Sequence, residues 1–120
     1  MTPSTFVILY VEDNVTLRES VAELLAMPDR RFICVSDGAG ARAALREHAV
    51  HLLVTDIDLP DASGLDVARE ALERNPALPV IVCSGYDVRE VTRSLGATAH
   101  PLMKPFDLDE LEALVDRLLR

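Results

Sequence analysis

Leu52-Leu53-Val54-Thr55-Asp56-Ile57-Asp58-Leu59-Pro60 joins a short apolar run to an aspartate and then, at once, to a turn. Leu52 to Val54 are apolar without alternation, the pattern of a strand covered on both faces, and Asp58, Pro60, Asp61, Ser63 and Gly64 are turn formers. Asp56 is therefore expected at a strand tip, facing a crevice. A lone aspartate there is ordinarily a turn former or helix cap. This one has company: Phe6-Val7-Ile8-Leu9-Tyr10-Val11 runs into Glu12-Asp13, and two further apolar runs end in Ser84 and Lys104. Parallel strands lying side by side bring all four chemistries to one rim.

The rest of the chain repeats a strand-helix alternation. Asn14 can cap a helix whose apolar positions Leu17, Val21, Leu24 and Leu25 form one stripe, ending before Pro28. Residues 31–36 read as a second strand, followed by an Asp37-Gly38 turn and an alanine-rich helix through Ala43, Ala44, Leu45 and Ala49. Beyond Gly64, Leu65, Val67, Ala68, Ala71 and Leu72 recur at helical spacing until Asn75-Pro76. Residues 79–84 form a fourth strand, and Val88, Val91 and Leu95 mark a short helix with a thin apolar stripe, closed by Gly96. A last strand at His100-Pro101-Leu102-Met103 belongs on a sheet edge, because Pro101 lacks an N–H to donate. Asp107 and Glu110 then open a final helix lined by Leu108, Leu111, Leu114, Val115, Leu118 and Leu119.

Five strand-helix pairs with nearly all-apolar strands predict an α/β fold, a doubly wound five-stranded parallel sheet in one domain over residues 1–120. The flavodoxin-like order 2-1-3-4-5 puts the ligand crevice between the first and third strands, beyond their carboxyl ends. Those ends carry Glu12-Asp13 and Asp56.

A chain of 120 residues holds a core without metal or disulfide staples. Its net charge of −8 argues against a nucleic-acid surface, and no apolar stretch is long enough to cross a bilayer. Met1-Thr2-Pro3-Ser4-Thr5 lacks the basic start of a secretory signal. Cys34 and Cys83, both within expected strands and in no metal-like spacing, read as buried, reduced thiols, which points to the cytoplasm. His48, His51 and His100 are scattered and read as surface or partly buried imidazoles. Proteins, cations or small ligands are the expected partners.

Two carboxylates about 5 Å apart repel by roughly 3 kcal/mol at an effective dielectric near 20, so Glu12, Asp13 and Asp56 together call for a cation. Hard oxygen ligands with room for water suit Mg²⁺ or Mn²⁺, which then also binds a phosphate oxygen. Lys104 supplies a charge and Ser84 a hydroxyl for the remaining phosphoryl oxygens, leaving Asp56 as the central nucleophile. Phosphoryl transfer to it is then chiefly positioning and charge neutralisation.

On these residues the sequence closely resembles the receiver domains of two-component response regulators over essentially its whole length. Val11-Glu12-Asp13-Asn14 looks like the family's acidic pair, Val54 to Pro60 with Gly64 like its phosphoacceptor segment, Ser84-Gly85 like its hydroxyl switch, and Lys104-Pro105-Phe106 like its lysine motif. The resemblance implies that Asp56 accepts a phosphoryl group from a phosphohistidine. It also implies that Asp13, Asp56 and the main-chain oxygen of Asp58 hold Mg²⁺, with Glu12 helping through water. The donor would be a sensor histidine kinase or histidine phosphotransfer domain docking near the first helix, with a downstream effector as a further partner. The domain is then no enzyme but a phosphoacceptor that assists its own phosphorylation and slow dephosphorylation. The fourth helix, last strand and last helix would be a contact surface, in a monomer or weak dimer. No output segment follows Arg120, so a stand-alone regulator, a phosphate shuttle and a receiver cut from a larger protein all stay open.

One departure from the family pattern concerns the readout. Three positions before Lys104, where the family commonly has Tyr or Phe, stands Pro101. Cys83-Ser84-Gly85-Tyr86 together with that proline resembles a receiver subgroup lacking the switch aromatic, with Tyr86 as an alternative reporter. Asp56-Ile57-Asp58 also resembles the nucleophile motif of haloacid-dehalogenase-type phosphohydrolases, but that motif opens a longer chain, and here an acidic strand precedes it. A flavin or nucleotide module is disfavoured by Glu12-Asp13 where a phosphate cradle needs free N–H groups. A degenerate receiver that never takes phosphate is the remaining alternative.

Overall fold

The computed structural model describes residues 5–119. Residues 1–4, read above for a targeting signal, and Arg120 lie outside them. Strands β1 (Phe6–Val11), β2 (Arg30–Val35), β3 (Leu52–Asp56), β4 (Val80–Ser84) and β5 (Ala99–Met103) alternate with helices α1 (Val15–Leu24), α2 (Gly38–Glu47), α3 (Gly64–Arg74), α4 (Arg89–Arg93) and α5 (Leu108–Leu118). The strands form one sheet in the order β2-β1-β3-β4-β5, every pair parallel, as the unalternated apolar runs predict.

Strand periodicity divides the core between the two faces of this sheet. Ile8, Tyr10, Leu52, Val54, Ile81 and Cys83 meet Val21 of α1, Leu25 directly after it, and Leu111 and Val115 of α5. Leu9, Val11, Leu53, Val80 and Val82 meet Ala41 and Ala44 of α2 and Val67, Ala68 and Ala71 of α3. All five residues of β3 are buried, and all five of β4, so the strands that end in Asp56 and Ser84 are the most firmly held. Truncating one such side chain, as in Leu53→Ala, costs about 2–5 kcal/mol.

Local chemistry sets the helix starts. The side chains of Asn14, Asp37 and Ser63 accept hydrogen bonds from the N–H groups of Leu17, Gly40 and Leu65. At α5 the Asp107 N–H donates to Glu110 Oε1 at 3.3 Å. Gly96, at φ +126°, closes the α4 segment in a conformation that side chains other than glycine's rarely adopt. His51 is half-buried: its Nδ1 accepts the Val7 N–H at 2.9 Å and its ring meets Phe6 edge-on.

Several expectations are corrected. Cys34 is exposed, because β2 is an edge strand with a neighbour on one side only; Cys83 is buried as expected. Leu24 is 59% exposed, the sheet-facing place being taken by Leu25. In α4 the same exchange puts Val91 outside and Thr92 inside. Gly38 is the first residue of α2 and not part of a preceding turn, and the helix ends at Glu47, short of Ala49.

Candidate functional site

Strands β1, β3, β4 and β5 deliver their last or next residues to one rim of the sheet. Glu12, directly after β1, is 1% exposed, and its N–H donates to the Val35 carbonyl, which continues the β-ladder by one residue. Both of its carboxylate oxygens accept hydrogen bonds: Oε2 from the Asn14 N–H at 3.1 Å and Oε1 from Lys104 Nζ at 2.9 Å. Lys104, directly after β5, also donates to Asp56 Oδ2 at 3.0 Å. Asp56, the final residue of β3, is 8% exposed, whereas Asp13 stands exposed at the rim.

The segment after Asp56 folds back as a small hairpin. Asp58 and Ser63 form an antiparallel bridge, the Leu59 N–H donates to Ala62 O, and the Gly64 N–H donates to Ile57 O. Gly64 is required there: a Cβ on it would lie 1.8 Å from the Asp56 carbonyl oxygen. The same carbonyl accepts the buried Thr55 hydroxyl at 2.9 Å.

On the other side, Ser84 is buried at the tip of β4. Its Oγ accepts the Tyr86 N–H at 3.2 Å, which leaves the hydroxyl proton free to donate elsewhere. Its carbonyl accepts the Lys104 N–H at 2.7 Å and so ties the end of β5 to that of β4. Tyr86 itself is exposed, as is Pro101 on β5.

Burial is the largest influence on Asp56 and raises its carboxyl to about 6; the Lys104 hydrogen bond opposes this, and Glu12 and Asp13 reinforce it. Burial by itself would lower Lys104, but its bonds to Glu12 and Asp56 outweigh that and leave the ammonium above its ordinary range. Beneath the acids, burial pushes the Cys83 thiol up to about 12 and raises the Tyr10 phenol too, so both are neutral at neutral pH.

Carboxylate oxygens of Glu12, Asp13 and Asp56 lie within 4.8 Å of one another. Three carboxylates against one ammonium leave two negative charges, which a hard divalent cation with oxygen preference matches in both charge and chemistry. The structure thus brings together Glu12, Asp13, Asp56 and Lys104, with Ser84 on the neighbouring strand end. The Asp58 carboxylate is exposed and outside this cluster. Sequence reading missed the Thr55 hydroxyl, the Arg18 guanidinium, which donates to the Glu12 carbonyl at 2.8 Å, and Asp61, whose carboxylate reaches α2. Thr55 as the one polar residue before the acid was a usable signal; Arg18 and Asp61 carried none.

The family model described as "Response regulator receiver domain" matches residues 8–116. Response regulator protein PmrA of Pseudomonas aeruginosa is 37% identical over 115 residues, covering 94% of this chain and 52% of that protein. Response regulator receiver protein CpdR of Brucella abortus is 30% identical over 114 residues, covering 93% of this chain and 95% of that one. Among solved structures, the receiver domain of NtrX from Brucella abortus is 32% identical, with a TM-score of 0.80 over 93% of this chain and 97% of that chain. The chain spans about half the length of several curated relatives, PmrA among them, and nearly all of CpdR. With the family model covering nearly the whole sequence and the strand order and acidic rim in agreement, the chain belongs to the response regulator receiver domain family of two-component signalling.

Proposed function

We propose that Asp56 is the phosphoacceptor of a two-component phosphorelay. An Asp56 oxygen forms the new bond to phosphorus while the phosphorus–nitrogen bond of a donor phosphohistidine breaks, and the imidazole leaves with the electron pair. A sensor histidine kinase or a histidine phosphotransfer domain supplies that phosphohistidine, and the modified domain changes its binding to a downstream effector protein. Asp13, Asp56 and the Asp58 main-chain oxygen would hold Mg²⁺ or Mn²⁺, with Glu12 acting through water; when bound, the cation neutralises phosphoryl charge. Lys104 takes one phosphoryl oxygen and the Ser84 hydroxyl another.

The observation that carries this reading is the Lys104 ammonium held between Glu12 and Asp56 at 2.9 and 3.0 Å, beside three clustered carboxylates. A phosphoryl group on Asp56 finds its counter-charge already in place, and no separate base is needed for a nucleophile ionised above about pH 6. The Asp58 carboxylate, exposed and not among the three clustered acids, supports this reading over the phosphohydrolase alternative.

Incubation with a small phosphodonor and Mg²⁺, followed by intact mass measurement, tests the reading. One added phosphoryl group on the wild type and none on Asp56→Asn is the expected result. Rapid release of phosphate from many esters would favour the hydrolase, and an unmodified wild type the degenerate receiver.

A further inference from the structure

Asp61 reaches from the hairpin after Asp56 to the start of α2. Its Oδ1 accepts the Gly38 N–H at 2.7 Å and its Oδ2 the Ala39 N–H at 3.0 Å, across 23 and 22 residues of sequence. Asp37 meanwhile accepts from Gly40 through its side chain and from Ala41 through its carbonyl. The N–H groups of the first three helical residues, which have no partner within the helix, are therefore satisfied, two of them by a residue of another loop. The two segments also touch closely: a Cβ on Gly38 would lie 2.8 Å from the Ala62 Cβ. These amide donors, Gly38 first, hold the Asp61 carboxyl below its ordinary range.

The hairpin is otherwise secured at its base, by Gly64 N–H to Ile57 O and by the bridge between Asp58 and Ser63. Its tip, Leu59 to Ala62, has one internal hydrogen bond of 3.3 Å, from Leu59 N–H to Ala62 O. The tip is thus fixed chiefly from outside, by a two-point bond to a helix that packs on α3, β1 and β2. A carboxylate carrying negative charge at a helix start gains from the helix dipole as well as from the two bonds.

We propose that Asp61 is a positioning residue for the divalent cation: its clamp on α2 fixes the hairpin that carries Asp58 beside the acid cluster, without Asp61 touching the cation. The inference rests on the reading of Glu12, Asp13, Asp56 and the Asp58 carbonyl as the cation's surroundings. Supporting groups of this kind typically alter metal affinity by about tenfold or more when removed.

Calorimetric titration with MgCl₂ at 20 °C, run on wild type, Asp61→Asn and Asp61→Glu, tests it, with amide exchange of the metal-free proteins as a second readout. Asn removes charge and one acceptor oxygen, while Glu keeps the charge but lengthens the reach. Expected are faster exchange at Gly38, Ala39 and Leu59 and an affinity about tenfold weaker in both variants. A variant whose Gly38 and Ala39 amides open while its Mg²⁺ affinity matches wild type overturns the proposal, as does a loss confined to Asn with those amides open in both, which is a through-space charge effect. A purely structural clamp lowers Tm and leaves the affinity unchanged, which also overturns it. A wild type that binds no Mg²⁺ overturns the reading of the acid cluster and the proposal with it, and amide exchange still reports whether the clamp holds the hairpin.

Discussion

Lys104 Nζ stands 3.0 Å from Asp56 Oδ2 and 2.9 Å from Glu12 Oε1, one cation shared by two buried carboxylates that come from different strands. The lysine thus closes the rim mechanically and electrically: its backbone is fixed on Ser84 and its side chain spans to β1 and β3.

Replacing that ammonium, as in Lys104→Met, leaves two buried carboxylates facing each other without a counter-charge. Such uncompensated charge costs about 3 kcal/mol or more at pH 7. The cost shrinks toward pH 5, because Asp56, already raised to about 6, takes up a proton when its partner is gone. Urea unfolding of both proteins at pH 7 and pH 5 measures the difference; equal destabilisation at the two values would mean the pair is not coupled to Asp56 ionisation.

Asp56→Asn is expected to stabilise the metal-free fold. Asp56 binds its proton more tightly folded, at about 6, than unfolded, at the ordinary 3.8. Between those values the folded state keeps a proton that the unfolded state has lost, so stability falls as pH rises through the window and the loss is complete above about 6. Removing the charge recovers about 1–3 kcal/mol at neutral pH. The Tm of Asp56→Asn should exceed that of wild type at pH 7 and converge with it near pH 4; a lower Tm at pH 7 would show that Lys104 outweighs burial.

Gly64→Ala places a Cβ 1.8 Å from the Asp56 carbonyl oxygen, a backbone atom with no flexible end to yield. Either the hairpin or the tip of β3 must shift, at about 3 kcal/mol or more. A drop in urea midpoint at unchanged m-value, together with weaker Mg²⁺ binding, is the expected outcome. Loss of stability alone would place the strain in α3 and spare the acid cluster.

How far the sequence reached depends on what a residue's position leaves undecided. Glu12, Asp56, Ser84 and Lys104 were legible because each ends or follows a strand, and parallel strands must put those ends on one rim. Leu24 and Leu25 were not separable, since neighbours about 100° apart on a helix compete for one sheet-facing place and their chemistry is the same. Val91 and Thr92 show the reverse: the polar residue holds the inner place, four positions from buried Val88, against its hydropathy. Cys34 looked like core because an edge strand and a central one share composition. The Asp61 contact depends on where α2 sits over the sheet, a tertiary quantity that no local pattern encodes.

The Ser84 hydroxyl links the site to the thinnest part of the fold. Its Oγ accepts the Tyr86 N–H, Tyr86 leads into Val88, and the five-residue α4 that follows starts without a side-chain cap and buries the Thr92 hydroxyl without a partner among the described residues. Short, poorly capped elements open at low free energy, so this segment is where a small displacement is amplified. On the proposed phosphorylation of Asp56, a phosphoryl oxygen there would attract the free proton of Ser84, and drawing that hydroxyl inward would pull on the Tyr86 N–H. Pro101, in the place of an aromatic ring, has nothing to rotate in response. The change should therefore be read in the segment from Tyr86 to Leu95, with amide protection shifting by about fivefold, or about 1 kcal/mol, on adding Mg²⁺ and a beryllofluoride phosphate mimic. Ser84→Ala should bind the mimic and lose the shift. Equal protection over these residues in both states of the wild type would remove Tyr86 as the reporter and direct attention to α5.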